Sequence, residues 1–224
     1  MVKQKTKNVM LNEVEAKKLL EQAGIPVNDT RLARTKSEAS SLSRKIGFPV
    51  VLKIVSPDVV HKSDVGGVKV GLVNTAQVQK AYTEIVGSVK EKVPDATIEG
   101  VSVQKMGRPG VEIIIGVTED AQFGPVIMFG LGGIWVEAIK DVVFRVIPVT
   151  TWDAEEMVRE IKGFAVLQGY RGQEAVDLSF LVKLITRISE FIEKNPRVKE
   201  LDINPLIAYA DGAVAVDARI VVNQ

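Results

Sequence analysis

The sequence predicts an α+β fold with mostly antiparallel sheets, and two observations indicate it. Helical and extended patterns alternate along the chain, yet several extended segments follow one another directly, without the crossover helix that a parallel pair requires. The chain has 224 residues, of which 46% are hydrophobic and 25% are charged. This length and composition are typical of one large globular domain, or of two smaller ones, with a buried core.

Five helices are predicted, and four of them begin at a capping signature, in which a short polar residue is followed three positions later by an acid or an amide. The four pairs are Asn12 with Glu15, Thr35 with Glu38, Asn74 with Gln77, and Asp153 with Glu156. The first three helices are expected to end at Gly24, at Gly47 and near Lys92. The fifth helix is an apolar stripe, interpreted as core packing, that consists of Leu178, Leu181, Val182, Ile185, Ile188 and Ile192.

Extended segments rich in β-branched residues are predicted to form the strands. They are residues 49–55, 67–73, 101–105, 112–117, 126–129, 142–149, 201–209 and 213–222. Residues 105–110 contain two glycines and one proline, and we interpret this stretch as the hinge between an N-terminal and a C-terminal lobe.

The composition excludes several classes of function. The formal net charge is +1, so the chain has no overall basic field for nucleic acid. It has no cysteine, which excludes disulfides, Cys-ligated metals and thiol nucleophiles, and its one histidine is His61. No apolar stretch approaches the ~20 residues of a membrane helix, and the N-terminus lacks the apolar region of a secretory signal. A Walker A loop is absent, and Gly130-Leu-Gly132-Gly133 departs from the dinucleotide-binding fingerprint.

A cation in a predicted buried strand is the first candidate for chemistry. Lys53 lies in an apolar strand pattern, where an ammonium is costly unless it meets an anion. The loop that follows, residues 61–67, combines cations, a hydroxyl group and two glycines, whose backbone N–H groups are able to approach phosphate oxygens. A solvated hairpin with a lysine that reaches to water is the alternative interpretation.

A predicted hairpin near the C-terminus gives the candidate metal site. Asp211-Gly212 predicts a two-residue turn, which pairs Leu206 with Asp217. Cross-strand partners share a face, and so do residues two apart on one strand, so Asp202, Asn204 and Asp217 are predicted to converge. Two carboxylates and an amide oxygen are ligands that suit Mg²⁺. A bulge in the first strand would break this register, and two solvent-facing aspartates beside a capping asparagine are the alternative.

Other polar residues are less specific. Glu112 precedes an apolar run and either holds a ribose or a phosphate-bound cation, or begins an exposed strand. Residues 104–106 either present polar groups to an adenine edge or only form the hinge. Arg145 and Arg171 are interpreted as partners of surface carboxylates rather than phosphate ligands.

Five motifs carry a resemblance to a known family, and they run in order across nearly the whole chain. They are Leu52-Lys53, His61-Lys-Ser-Asp-Val-Gly-Gly67-Val, Phe129-Gly-Leu-Gly-Gly-Ile-Trp-Val-Glu137, Gly169-Tyr-Arg-Gly172 and Leu201-Asp-Ile-Asn-Pro205. At these residues the chain resembles the ATP-grasp superfamily. It is most similar there to the β subunits of ADP-forming acetyl-CoA and acyl-CoA synthetases, which are relatives of succinyl-CoA synthetase.

The resemblance implies an ATP-grasp fold of two α+β lobes, with ATP or ADP bound in the cleft between their sheets. Residues 25–104 would form the N-terminal lobe and residues 105–224 the C-terminal lobe, on which the helix within residues 1–24 would pack. The implied reaction converts acyl-CoA, ADP and phosphate into the free acid, ATP and CoA.

The resemblance also implies roles for individual residues. His61 would be the catalytic residue, relaying a phosphoryl group between a phosphohistidine of an α subunit and ADP. The implied nucleotide-binding residues are Lys53, Ser63, Gly66, Gly67, Val68, Gln104, Lys105, Met106 and Glu112. The implied Mg²⁺ ligands are Asp202, Asn204 and Asp217, the same trio that the hairpin selects.

The chain stops soon after Asp217, before the flavodoxin-like ligase domain that follows the ATP-grasp region in the succinyl-CoA synthetase β chain. We therefore expect an α subunit to carry the CoA-binding and ligase domains, in a cytoplasmic α2β2 assembly that involves neither nucleic acid nor membrane. Two alternatives stay open: a nucleotide-sensing ATP-grasp module without turnover, and another acid–CoA ligase of the succinyl-CoA synthetase type.

Overall fold

A computed structural model describes residues 8–59, 61–133, 139–170, 172 and 174–223. The strands in these residues are β1 (Asn8–Met10), β2 (Thr30–Ala33), β3 (Val50–Val55), β4 (Val68–Leu72), β5 (Gly100–Lys105), β6 (Val111–Asp120), β7 (Gly124–Leu131), β8 (Val142–Val146), β9 (Val198–Tyr209), β10 (Gly212–Ala215) and β11 (Ala218–Asn223). The helices are α1 (Glu13–Gln22), α2 (Lys36–Ile46), α3 (Thr75–Lys92), α4 (Thr151–Glu160), α5 (Phe164–Leu167) and α6 (Leu178–Lys194).

The strands form two sheets. In the large sheet the order is β1-β11-β9-β6-β7-β8, and β10 pairs with β9 beside β11. In the small sheet the order is β2-β5-β3-β4. The pairings between these strands are antiparallel, which confirms the α+β class predicted from consecutive extended segments.

The chain divides into two compact units. The large-sheet unit contains the residues up to Leu11, Glu15–Val27, and the chain from Pro109 onward. The small-sheet unit contains Asn12–Val14 and Asn28–Arg108. The assignment of residues 1–24, 25–104 and 105–224 to functional parts of the protein stays a prediction.

The core of the large-sheet unit lies between one face of its sheet and its helices. The apolar stripe of α6 belongs to it, because Leu181, Ile185 and Ile188 are at most 1% exposed, and the prediction of core packing is confirmed. On the sheet, Ile113 and Ile115 of β6 are fully buried in the same cluster. Burying such a side chain contributes about 1.5–3 kcal/mol, so this cluster is the main source of stability in the unit.

The small-sheet unit has a separate core. Leu52 and Ile54 of β3 and Val103 of β5 pack in one cluster with Val78 and Ile85 of α3, and these residues are fully buried. Side chains alternate along a strand, so the neighbours of these residues lie on the opposite face of the small sheet. That second face carries the candidate site of this unit.

The capping predictions succeed for two helices and miss the start of a third. Thr35 and Asn74 cap α2 and α3, accepting from the N–H groups of Glu38 and Gln77. The predicted start at Asp153 is wrong by three residues. Thr150 is the N-cap of α4, and Asp153 is the third residue of that capping box.

The C-terminal strands depart from prediction. The turn falls at residues 210–211, so Leu206 pairs with Ala215, and its predicted pairing with Asp217 is wrong by two residues. The predicted strand 213–222 is interrupted at residues 216–217, which separate β10 from β11. None of the helices in the described part of the chain is long and apolar enough to cross a membrane.

Candidate functional site

Lys53 lies on the second face of the small sheet, and its side chain is 9% exposed. Its Nζ is 3.0 Å from Oε1 of Glu13, whose side chain is only 1% exposed. The residue is therefore not a lysine that reaches to water, which was the alternative interpretation. The anion that a buried ammonium requires is supplied by this chain, at the start of α1.

Glu13 also contacts two further residues of the small-sheet unit. Its Oε2 accepts a hydrogen bond from Nζ of Lys62 at 3.1 Å. Its Oε1 accepts a second hydrogen bond, from Nε2 of Gln104 at 2.5 Å. Gln104 is fully buried and also donates to Oγ of Ser102 at 3.1 Å. One carboxylate thus joins the predicted phosphate-binding lysine, a predicted nucleotide-binding amide and the loop of His61.

The loop after β3 holds its own backbone in place. The N–H of Gly66 donates to the carbonyl of Ser63 at 3.0 Å, and the N–H of Gly67 donates to the carbonyl of Lys62 at 2.7 Å. The predicted binding of phosphate by these two N–H groups therefore requires a rearrangement. His61 and Ser63 are exposed, so both side chains are accessible to a ligand.

Gly67 tolerates no side chain at its position. A Cβ there would lie 2.7 Å from Cγ2 of Ile54 and 2.8 Å from the carbonyl oxygen of Lys62. Val68 follows as the first residue of β4, where it pairs with Lys53. Gly67 thus allows the loop to lie against β3, next to the residue that pairs with Lys53.

The predicted hinge residues use much of their backbone within the small-sheet unit. The N–H of Met106 donates to the carbonyl of Pro49 at 3.2 Å. The carbonyl of Lys105 accepts a hydrogen bond from Nδ2 of Asn28 at 2.8 Å. The side chain of Lys105 is also engaged, because its Nζ donates to the carbonyl of Gly47 at 2.9 Å. Contact of these groups with an adenine edge stays a prediction.

The candidate metal ligands share one face of the large sheet despite the changed register. Asp202 pairs with Arg219, and Asp217 precedes the buried Ala218, so Asp217 and Arg219 lie on the side away from the core. The N–H of Asn204 donates to the main-chain carbonyl of Asp217 at 3.3 Å. The register of β9 and β11, continued by one residue, places Asp217 opposite Asn204, so the three residues lie on one face. Their binding of a metal ion stays a prediction.

A bulge does occur in β9, where the pairing with β6 shifts between Ile113 and Ile115. The buried positions change there from Leu201 and Ile203 to Leu206 and Ala208. Asp202, Asn204 and Asp217 still share one face for two reasons. The outward-facing positions of β9 change after Asn204, and those of the opposing segment, β10 and β11, change at residues 216–217.

The charge of Asp217 acts on the carboxyl group of Asp202. Asp202 is an exposed residue by its surface area. The protein around its carboxyl group nevertheless displaces part of the water that hydrates the carboxylate, and this raises the pKa of Asp202. Arg219 lowers the pKa of Asp202, and the negative charge of Asp217 raises it further. Two neighbouring carboxylates and an amide are a donor set that fits Mg²⁺, with water and phosphate as the remaining ligands. No cluster of three or more His, Cys, Asp or Glu suited to a metal occurs in the described residues.

Glu112 lies exposed on β6, on the same face of the large sheet as Gly116, which pairs with Asp202. The glycine loop after β7 lies against it, since a Cβ at Gly133 would be 2.7 Å from Oε2 of Glu112. The N–H of Gly132 donates to the main-chain carbonyl of Glu112 at 2.8 Å. Because Gly132 and Gly133 have no side chain, this loop is able to lie against Glu112.

The two arginines have different outcomes. Arg145 forms an ion pair with Glu160 at 2.5 Å, which confirms its interpretation as the partner of a surface carboxylate. Arg171 and the motif residues 134–138 lie outside the described residues.

Glu13 was not predicted from the sequence, and Lys62 was not given a role of its own. A signal for Glu13 existed: it lies on the same helical stripe as the buried Ala16 and Leu20, three and seven positions earlier. A charged residue on a buried helical face needs a charged or polar partner, which here is Lys53.

Comparison with known proteins identifies the family. The chain matches the family model of the ATP-grasp domain over residues 2–222. It is a member of the ATP-grasp family. The acetate–CoA ligase [ADP-forming] I subunit beta of Pyrococcus furiosus is 47% identical to this ATP-grasp chain over 98% of the chain and 94% of the relative. The corresponding ligase II subunit beta is 44% identical over 94% of the chain and 91% of the relative. The chain therefore belongs with the ADP-forming acetate–CoA ligase beta subunits, which confirms the resemblance.

Solved structures agree with this ATP-grasp assignment. An acetyl-coenzyme A synthetase 1 from Ca. Korarchaeum cryptofilum, in complex with coenzyme A, Ca-AMPCP and HgCl+, has a TM-score of 0.93 and 52% identity, covering 95% of this chain and 93% of that one. A second structure of that enzyme contains Mg-AMPPCP, with a phosphohistidine segment pointing towards the nucleotide binding site. Its TM-score is 0.84 at 48% identity, covering 95% of this chain and 92% of that chain. The acetate–CoA ligase [ADP-forming] I of Archaeoglobus fulgidus is 47% identical over 92% of this chain, which spans 30% of that protein.

Proposed function

We propose that this chain is the nucleotide-binding subunit of an ADP-forming acetyl-CoA or acyl-CoA synthetase. The observation that carries the proposal is its 47% identity, over 98% of its length, to a beta subunit of an ADP-forming acetate–CoA ligase. The enzyme would convert acyl-CoA, ADP and phosphate into the free acid, ATP and CoA. It would require an α subunit with the CoA-binding and ligase domains, in an α2β2 assembly located in the cytoplasm.

The proposed nucleotide contacts begin at Lys53, whose ammonium would bind phosphate oxygens. Its position on a buried strand supports this role, because an ammonium there is favourable only beside an anion. The other proposed nucleotide-binding residues are Ser63, Gly66, Gly67, Val68, Gln104, Lys105, Met106 and Glu112. The exposed carboxylate of Glu112 suits a ribose hydroxyl or a bound cation.

Asp202, Asn204 and Asp217 would hold Mg²⁺. The donor set of the trio and the mutual repulsion of its two carboxylates both favour a bound cation at this place on the sheet. When bound, the ion would neutralise charge on the phosphate oxygens.

His61 would carry the phosphoryl group. A nitrogen of its neutral imidazole would attack the γ-phosphorus of ATP, and the bond from that phosphorus to the β-phosphate oxygen would break, giving phosphohistidine and ADP. The reverse step would form ATP from a phosphoryl group delivered by a histidine of the α subunit. Imidazole suits this relay because histidine is a nucleophile that forms covalent intermediates, and His61 is exposed on its loop.

The direct test is ATP formation by the complete enzyme. The chain, mixed with its α subunit, acetyl-CoA, ADP, phosphate and Mg²⁺, is expected to form ATP, and His61→Ala is expected to abolish this activity. An alanine variant with full activity would remove His61 from the mechanism. Absence of ATP with the wild-type chain and a panel of acyl-CoA substrates would overturn the proposed function.

A further inference from the structure

We propose that Glu13 is a positioning residue that holds Lys53 and the His61 loop in the arrangement required for phosphoryl transfer. This inference rests on the proposed function of Lys53 and His61. It starts from one buried carboxylate, 1% exposed, that contacts the ammonium groups of Lys53 and Lys62 through its two different oxygens.

The charge of Glu13 is what allows two lysines to lie near each other inside the protein. Lys53 is 9% exposed and Lys62 is 23% exposed at the side chain, and both are within 3.1 Å of Glu13. Without an intervening anion, two ammonium groups in such surroundings repel each other and lose hydration. Gln104 fixes the carboxylate itself, through its hydrogen bond to Oε1.

The contact with Lys62 transmits this order to His61, its neighbour in the chain. The side chain of Lys62 is held by Glu13, and its carbonyl accepts the N–H of Gly67 at 2.7 Å. The carbonyl of Gly67 in turn accepts the N–H of Ile54 on β3, also at 2.7 Å. The residue after His61 is therefore fixed at both its side chain and its backbone, relative to the strand that carries Lys53.

This arrangement separates nucleotide binding from phosphoryl transfer. A carboxylate beside Lys53 and Lys62 reduces the local positive potential, so its neutralisation does not weaken the attraction of a phosphate. The same change releases Lys62, and a displacement of about 1 Å in a reacting group costs up to about 100-fold in rate. A loss of overall folding would instead weaken binding and transfer together.

The experiment compares Glu13→Gln with Glu21→Gln, a matched control on the exposed side of the same helix. Calorimetry measures the Kd of Mg-ADP for the full chain, and ATP formation with the α subunit gives kcat. For Glu13→Gln we expect a Kd that is unchanged or lower and a kcat at least about tenfold lower. For Glu21→Gln we expect both values to equal those of the wild type.

A double-mutant cycle with Lys62→Met identifies the pathway. Lys62→Met is expected to lower kcat about as much as Glu13→Gln, and the double variant is expected to lower it no further, because both changes remove the contact between Glu13 and Lys62 that orders the His61 loop. Additive losses would overturn the coupling through Lys62. An unchanged kcat in Glu13→Gln, or a rise in Kd that matches the fall in kcat, would overturn the proposal.

Glu13→Asp and Lys62→Met cover the case in which Glu13→Gln does not fold. Glu13→Asp keeps the charge but withdraws it by one methylene, and it is expected to lower kcat several-fold while the Kd stays unchanged. Lys62→Met leaves Glu13 in place and decides the question alone if neither Glu13 variant folds. Failure of the wild-type enzyme to form ATP would instead contradict the proposed function.

Discussion

Asp202 shows how a candidate metal ligand is shaped by its surroundings. Its pKa is raised mainly by loss of hydration and further by the charge of Asp217, while Arg219 acts in the opposite direction. The ionised form that a cation needs is therefore less favourable in the folded protein than in the unfolded chain. A bound cation reverses this preference, because it attracts the ionised carboxylate and not the protonated carboxyl group.

The raised pKa predicts how stability depends on pH. Between the pKa of the unfolded chain, about 3.9, and the higher pKa in the folded protein, the folded state holds more protons, so stability falls as pH rises through this window. Asp202→Asn without Mg²⁺ is therefore expected to raise the free energy of unfolding at neutral pH. Screening at this exposed position limits the gain to about 1 kcal/mol.

Urea unfolding at neutral pH and below pH ~3.9 measures this difference between Asp202→Asn and the wild type. The gain is expected to disappear at the lower pH, where Asp202 is protonated in both states. A variant that is less stable than the wild type at neutral pH would contradict the account of Asp202.

At the level of elements, Asp141, which directly precedes β8, accepts hydrogen bonds from the connection between α4 and α5. Its Oδ1 accepts the N–H of Lys162 and its Oδ2 accepts the N–H of Gly163, both at 2.7 Å, and the residue is 4% exposed. Both donors belong to the short connection that follows α4, so this one carboxylate replaces the helical hydrogen bonds that the connection lacks.

We predict that Asp141→Ala destabilises the protein by about 1–3 kcal/mol, because it leaves two partly buried N–H groups without their acceptor. The midpoint and slope of urea unfolding provide the measurement. Asp95→Ala, at an exposed position, is the control and is expected to stay within about 0.5 kcal/mol of the wild type. Equal stability of the two variants would show that Asp141 does not hold the connection between α4 and α5.

The C-terminal hairpin shows how much of the site was predictable from sequence. The predicted turn was one residue late, so the predicted pairing was displaced by two residues and put Leu206, a core residue, on the face of Asp202. The trio shares a face nevertheless, because the bulge in β9 is matched by the interruption at residues 216–217. The interruption at residues 216–217 was not predictable, because it depends on how β9 shifts against β6, a strand distant in sequence. The pattern predicted a shared face for the trio and long-range pairing determines its geometry, while its role as a Mg²⁺ site stays a prediction.

The short strands β1 and β2 were not predicted from the sequence. β1 has three residues and β2 has four, too few for an alternation of apolar and polar residues to be recognised. Both are defined by their partners, β11 and β5. Glu13 was missed for a similar reason: its partners Lys53 and Gln104 are 40 and 91 positions away.

At the scale of the whole molecule, each of the two units has its own apolar core, and each carries part of the proposed chemistry. The residues proposed to contact phosphate belong to the small-sheet unit, and the proposed Mg²⁺ ligands belong to the large-sheet unit. A ligand that binds only the folded protein stabilises it by mass action, so thermal unfolding reports binding by the intact chain.

We predict that Mg²⁺ with AMPPCP raises the Tm of the chain. At about 100 times the Kd, the added stability is about 2.7 kcal/mol. EDTA is expected to remove most of this shift, and Asp217→Asn is expected to weaken binding at least about tenfold if its carboxylate holds the ion. The same shift in the presence of EDTA would contradict a metal-dependent site.

Phosphoryl transfer to this chain from ATP labelled in its γ-phosphate tests the central claim most directly. With Mg²⁺, the wild-type chain is expected to acquire acid-labile, base-stable label at His61, and added ADP is expected to remove that label as ATP. His61→Ala is expected to remain unlabelled. A wild-type chain that binds the nucleotide but takes up no label, or that carries label at another residue, would contradict the relay and favour a module that only senses nucleotide.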